Sequence, residues 1–353
     1  MPLRLILPAI LLLTTLPARA ADPVKLDLFQ ANTAGYETYR IPGVVVTRRG
    51  TILAYCEARK LARGDWGQID LFLRRSTDNG QTFGAPRRIA TPPPDAQRNP
   101  AAAAKNLGHE GGITLNNPVM IADPDTGVVH LLYCVEYARC FHARSDDDGQ
   151  TFAPPVEITA TFETLRPKYD WKVLATGPGH GLRLSKTGRL LVPAWLSTGT
   201  GGHAHRPSCV TTIYSDDAGK TWHAGDIVVD SSKTTPNPSE STAVELADGS
   251  VLLNIRNESR KRRRLVTTSK DGATAWATPT FDETLFDPIC FASLIRPTGD
   301  TLVWSNPAGD GRSGARRDLT IRLSPDAGRT WSHAKLLEPG PAAYSDLALT
   351  PDG

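Results

Sequence analysis

Little in this sequence is concentrated, and each shortage excludes something. The 353 residues hold five cysteines, Cys56, Cys134, Cys140, Cys209 and Cys290, an odd number at wide spacings. That excludes both the close clusters that bind a metal and the disulfide framework of a small secreted scaffold. They read as buried thiols in strands, with Cys134 and Cys140 near enough to face each other across a hairpin and bridge. Neither sign of charge dominates: a net +3 is too small to argue for nucleic acid or an anionic membrane as partner. The one basic run, Arg260-Lys-Arg-Arg-Arg264, falls between two strand patterns and reads as a solvated hairpin. Long apolar runs are missing as well, so no segment past residue 20 is expected to insert stably in a bilayer.

Residues 1–20 stand apart. Arg4 precedes an apolar stretch from Leu5 to Leu13, and Ala18-Arg-Ala20 offers a small-x-small cleavage site before Ala21. This pattern reads as a secretory signal peptide, too short to span a membrane. The expectation is a protein secreted or delivered to a periplasm, with one domain over 21–353.

Against these shortages, Gly and Pro are plentiful, at 30 and 28, which suits many short strands joined by turns. One phrase is written four times: Ser76-Thr-Asp78-Asn-Gly80-Gln-Thr82-Phe83, then Ser145 to Phe152, Ser215 to Trp222 and Ser324 to Trp331. A blurred fifth copy runs from Ser269 to Trp276 with its Gly and Thr out of phase. The serines are separated by 69, 70, 54 and 55 residues, the mark of an array of similar units. Asp and Ser side chains fold onto nearby backbone N–H groups and Gly supplies a positive φ, giving a tight turn between strands. The aromatic residues in the phrase read as structural plugs.

Between the turns the strand patterns fall into five sets of four, over Tyr39–Thr91, Pro118–Thr159, Gly181–Asp230, Ser241–Leu285 and Ile289–Leu337. Four-stranded meanders repeated in this way are propeller blades. A β-helix would repeat at a shorter period, and a sandwich would not reuse one turn. A sixth set opens at Tyr344–Thr350, and Leu26–Phe29 is placed to lend it an outer strand. The expected fold is therefore all-β, a six-bladed β-propeller whose sixth blade is incomplete at the C-terminus. Such an open ring leaves unpaired edges and is expected to be weakly stable and poorly active.

Three arginines interrupt strand patterns that line the crowded axis: Arg40 in Tyr39-Arg-Ile-Pro42, Arg256 in Leu253-Asn-Ile-Arg-Asn257, and Arg316 in Ala315-Arg-Arg-Asp-Leu-Thr320. Three guanidinium groups meeting at one point repel unless an anion lies between them, and their planar forks suit a carboxylate.

On these motifs the chain resembles the exo-α-sialidase (neuraminidase) family, with its Asp-box (BNR) repeats. Ala175-Thr-Gly-Pro-Gly-His-Gly181, Glu240-Ser-Thr-Ala-Val-Glu-Leu246 and Ala343-Tyr-Ser-Asp-Leu-Ala348 are similar to that family's later signatures, and the likeness runs from about Phe29 onward. The resemblance implies a sialidase-like propeller that releases α-linked terminal sialic acid from glycoproteins, glycolipids or oligosaccharides, with retention and without cofactor or metal. It implies Tyr344 as nucleophile, Glu240 as the base that draws off its proton, and Asp65 as general acid and then base, with Asp70 as Asp65's rival. Arg40, Arg256 and Arg316 would hold the sugar carboxylate, and Arg59 would line the same pocket. Trp66, Trp171 and His180 are candidates for packing on the sugar, or for ordinary core and loop roles. A family member continues into a strand ending in a glutamate that braces the first arginine, so Arg40 is expected to lack that brace. Two other readings stay open: a sialic-acid-binding propeller without chemistry, and a hydrolase of a related 2-keto acid sugar.

Overall fold

The structure, a computed structural model, describes residues 23–61, 64–109 and 111–351; the signal-peptide pattern lies outside them. Five antiparallel sheets form the blades of a propeller. Blade one is Thr38–Val46, Ile52–Arg59, Ile69–Ser76 and Arg87–Arg88. Blade two is Leu115–Ala122, Val129–Val135, Arg139–Ser145 and Val156–Glu157. In blade three, Val173–Thr176 and Leu182–Arg183 share the innermost place along Leu190–Ser197; Ser208–Ser215 follows, then His223–Ala224 and Val229–Asp230. Between the two inner pieces, Gly179–His180 crosses over to pair in parallel with Val119 and Met120 of blade two. Blade four is Ser241–Glu245, Val251–Ile255, Arg263–Ser269 and Thr280–Phe286. Blade five is Ser293–Thr298, Thr301–Pro307, Arg317–Ser324 and His333–Pro341.

Every residue of the second strands Ile52–Arg59, Val129–Val135, Leu190–Ser197 and Val251–Ile255 is buried. Buried along their whole length, these strands read as largely apolar runs and not as alternation, with Glu57 and Arg59 of the first paired to each other. The core is accordingly divided into layers between blades. Leu53, Leu71 and Leu131 join blades one and two; Leu132 and Cys140 meet Leu190 and Ile213 between two and three. Leu191 and Val210 meet Leu253 between three and four, and Val244 and Leu252 meet Leu294 and Trp304 between four and five.

Each repeated turn is closed by its own side chains. Ser76 Oγ donates to Asp78 Oδ1 at 2.7 Å and accepts from Gly80 N at 2.9 Å, while Asp78 accepts from Thr82 N at 2.9 Å. The copies at Ser145, Ser215 and Ser324 repeat this pattern. The fifth copy is the same device one residue shorter: Gly272 N reaches Ser269 Oγ at 3.1 Å, and Thr274 N reaches Asp271 Oδ1 at 2.8 Å.

Five expectations are corrected. Among the described residues there are five blades, not six. Residues 344–350 form no strand, nor do Leu26–Phe29, because an inner strand needs a second strand beside it to take up its N–H and C=O groups. Lys25 instead pairs with Glu338 on the outer strand of blade five. The inner strand of blade three starts at Val173 and is interrupted before Leu182. Cys134 and Cys140 do lie directly opposite each other, yet all five thiols are free and buried. The basic run is not wholly solvated: Arg264 is fully buried, donating to Asn254 Oδ1 at 2.6 Å and Cys290 O at 2.9 Å, 3.5 Å from Asp287. Among the described residues no helix is long and apolar enough to cross a membrane.

Candidate active site

A cleft of about 220 Å³ opens among residues of all five blades and the segment carrying Tyr344. Three backbone devices aim its charges. In blade one the pairing of the first two strands slips between Arg40 and Gly43, with Ile41 at φ 57°. A β-branched residue takes that conformation only under constraint, and the bulge turns Arg40 toward the cleft. In blade four, Glu240 and Arg256 form the next cross-strand pair beyond Ser241 and Ile255, joined by Arg256 N to Glu240 O at 3.2 Å. In blade five, Arg316 precedes the third strand; its carbonyl accepts from Ala342 N at 3.1 Å and its Nη2 donates to Ile289 O.

These devices converge on Tyr344. Its hydroxyl donates to Glu240 Oε2 at 2.5 Å and accepts from Arg256 Nη1 at 2.7 Å, and Arg256 Nη1 also pairs with Glu240. The guanidinium carbons of Arg316 and Arg40 lie 5.5 and 6.0 Å from the centre of the tyrosine ring. Burial raises the phenol well above its ordinary range; Arg256 opposes this and Glu240 adds to it. The resting phenol is therefore neutral, with its proton directed at a carboxylate.

Asp65 stands on the other side of the cleft. Burial pushes its carboxyl up, but Arg59, His205 and Arg40 outweigh this and hold it well below the usual carboxylate range. Its side chain remains 40 % exposed, 3.9 Å from Arg40 Nη1. Arg59 lies behind it, 1 % exposed, donating to Asp65 Oδ1 at 2.9 Å and to Glu57 Oε2 at 2.6 Å. Arg59 thus sits one layer behind the cleft surface, with both carboxylates on its guanidinium. Asp70, the rival, is buried in its strand, where it accepts from Tyr36 Oη at 2.6 Å.

The remaining wall was not foreseen. Tyr137, Trp195, His203 and His205 line the cleft beyond Asp65. His205 packs between Tyr137 at 4.7 Å and Trp195 at 5.2 Å, and burial lowers its imidazole to about 3 despite Asp65 nearby. Trp66 packs behind this wall, 4.6 Å from Tyr137. On the rim, Arg206 and Asn237 both bind Glu258, at 2.8 Å each. Only the glycine-rich loop around His203-Ala-His205 signals this wall in the sequence. Trp171 lies in the core against Phe162, and His180 lies at the axis bound to Asp346.

The arrangement offers a phenol hydrogen-bonded to a carboxylate, a cationic seat around that phenol, and a second carboxylate across the cleft. The family model described as a BNR repeat-like domain matches residues 95–353. The chain is 30% identical over 360 residues to a sialidase of Micromonospora viridifaciens, covering 93% of this chain and 50% of that protein. It is 28% identical over 344 residues to a sialidase of Bacteroides fragilis, covering 88% and 58%. It thus spans little more than half the length of these curated relatives. The solved structure of the Hadza microbial sialidase Hz136 superposes with a TM-score of 0.71 at 26% identity, covering 90% of this chain and 62% of that one.

Proposed function

The chain belongs to the sialidase family built on BNR repeats, and from that premise we propose that it is a secreted, retaining exo-α-sialidase acting on sialylated glycoconjugates. The observation that carries the reading is the contact of Tyr344 with both Glu240 and Arg256, with Arg40 and Arg316 beside the ring.

The sugar carboxylate docks on Arg40, Arg256 and Arg316, which brings the anomeric carbon against Tyr344 Oη. The phenol oxygen attacks that carbon, its proton passes to Glu240, and the bond to the aglycone oxygen breaks as that oxygen takes a proton from Asp65. Water then attacks the same carbon, giving one proton to Asp65 while the phenol oxygen leaves and recovers its proton from Glu240. Two displacements return the original configuration, with no cofactor required.

Tyrosine suits this task for an electrostatic reason. A carboxylate nucleophile would meet the carboxylate already on the anomeric carbon, whereas a phenol held neutral by burial does not. Before substrate enters, Arg59, His205 and Arg40 favour the ionised form of Asp65. The incoming carboxylate offsets Arg40 and the substrate expels water, and both effects favour the protonated acid that the first step needs.

The test is turnover of a fluorogenic α-sialoside. Release of the fluorophore by the wild type, and loss of nearly all of it in Tyr344→Phe, is the expected result. Binding of sialic acid without turnover would replace this reading with that of a lectin, for which the contact between Tyr344 and Glu240 has no use.

A further inference from the structure

Tyr344 is carried by a stretch of chain that belongs to no strand. A nucleophile in such a segment has no sheet ladder to fix its depth, although a displacement of about 1 Å can cost about 100-fold in rate. The segment is held by side chains instead, and three of the bonds meet at one residue. Asp346 Oδ1 accepts from Ser293 Oγ and from His180 Nδ1, both at 2.8 Å, and its Oδ2 accepts from the backbone of Val44 at 2.9 Å. Its side chain is 1 % exposed. Ser293 Oγ also receives Leu347 N at 3.1 Å, and Ser345 Oγ lies 2.8 Å from Ser305 Oγ.

The three donors to Asp346 come from three blades: Val44 from the inner strand of blade one, Ser293 from that of blade five, and His180 from the crossover between blades two and three. His180 is itself fixed. Tyr55 Oη donates to the neighbouring Gly179 O at 2.7 Å and accepts from Met120 N at 2.9 Å. Gly179 has φ +82°, and a Cβ there would come within 2.7 Å of Phe291 Cζ and 3.3 Å of Asp346 Oδ1. The Phe291 ring in turn lies 5.9 Å from that of Tyr344.

Resting on the sialidase reading above, we propose that Asp346 is a positioning residue for the reaction at Tyr344, a buried carboxylate that sets where the nucleophile sits relative to the arginines. Tyr344 precedes Asp346 by two residues, and Arg40 precedes Val44 by four on the strand that Asp346 holds. One carboxylate therefore fixes the distance between the attacking oxygen and a guanidinium that receives the substrate. A buried carboxylate costs desolvation and is retained only where its bonds are complete, which three donors supply.

The experiment compares wild type, Tyr344→Phe, Asp346→Ala, Asp346→Asn and Ser293→Ala as whole chains, with steady-state constants on a fluorogenic α-sialoside. Labelling of Tyr344 by a 2,3-difluorosialosyl fluoride, followed by mass spectrometry, reads the covalent step separately. Asp346→Ala should lower kcat by about 100-fold while KM stays within about threefold, the split expected when an interaction serves the transition state. The labelling rate should fall in the same proportion. Asp346→Asn can keep an oxygen for Ser293 and His180 but then turns an N–H toward the Val44 amide, so it should recover part of the loss and no more. Ser293→Ala should fall between, and with Asp346→Asn it carries the test if the alanine variant melts early. Unchanged kcat in the folded variants, or losses of kcat and KM that follow melting temperature alone, overturns the inference and leaves the sialidase reading intact. A folded wild type that neither turns over a sialoside nor is labelled overturns both.

Discussion

Replacing Glu240 with glutamine isolates the proton transfer from the shape of the site. The amide is nearly isosteric and still offers an oxygen to the hydroxyl of Tyr344, now 2.5 Å from Glu240 Oε2, and to Arg256. It cannot take the proton. A positioned base contributes about 10²–10⁴-fold, which corresponds to about 3–5 kcal/mol of barrier, so kcat should fall by that range. KM should move the other way. Arg256 is 16 % exposed and loses its anionic neighbour; a unit charge at about 4 Å in surroundings of intermediate polarity is worth about 4 kcal/mol. Part of that attraction becomes available to the substrate carboxylate on the same guanidinium, so KM should hold or drop. The assay is a Michaelis series on a fluorogenic α-sialoside, with calorimetric binding of a non-hydrolysable sialic acid analogue as control. A kcat within about tenfold of wild type, or a KM that rises as kcat falls, would refute Glu240 as the base.

Three further outcomes follow. Asp65→Asn should slow sialyl-oligosaccharides by about 10²–10⁴-fold yet spare aryl sialosides whose phenol leaves without protonation; equal losses for both would remove Asp65 from the role of acid. Hydrogen bonds from the Thr82 hydroxyl and amide lower Asp78 to about 2, and those from the Thr221 amide and hydroxyl lower Asp217 to about 2. Both lie below the ordinary value of 3.8, so their stabilisation is complete above that pH and fades as pH falls toward 2. Melting temperature should drop through this window, and Asp217→Asn should flatten the drop; an unchanged acid limb in that variant would contradict the assignment. Gly43→Ala places a Cβ 2.2 Å from Tyr55 Cε2, and overpacking of this kind costs about 1–3 kcal/mol. Chemical denaturation should register that loss, and an unaltered midpoint would show that the Tyr55 ring moves aside freely.

What the sequence made legible follows the range over which each feature is determined. The repeated turns were readable because all their bonds lie within about four residues, as between Ser76 and Gly80, and even the contracted copy at Ser269 keeps the logic. The five blades follow from those turns. The sixth was over-read, since an apolar pattern such as Tyr344–Thr350 states what a strand would bury but not whether a partner lies beside it. Arg40, Arg256 and Arg316 stood out as charges in strand patterns, and the structure brings all three to one ring. Arg264 carries the same charge in the same kind of pattern, yet it is absorbed by Asn254 and Cys290 in the core; local sequence does not separate these cases. The wall of Tyr137, Trp195 and His205 was hardly legible because it arises where a hairpin of blade two meets a strand and a loop of blade three. Likewise the bulge that aims Arg40 is visible only in the pairing of its strand.

The site's charges also explain why a phenol occupies its centre. Glu57 and Asp65 hold Arg59, and Glu240 holds Arg256. Arg40 shares Asp65 at 3.9 Å, while Arg316 rests on the neutral carbonyl of Ile289. Four guanidinium groups thus face three carboxylates, leaving one positive charge in a cleft that is partly shielded from solvent. A monoanionic sugar cancels that excess, whereas a neutral hexose leaves it uncompensated, so preference for an acid sugar follows from the count before any shape is considered. A carboxylate at position 344 would complete the neutralisation by itself and repel the ligand the arginines are arranged to hold. On the proposed mechanism, the neutral phenol leaves the excess in place for the substrate, and its contact with Glu240 would make it a nucleophile only as its proton departs.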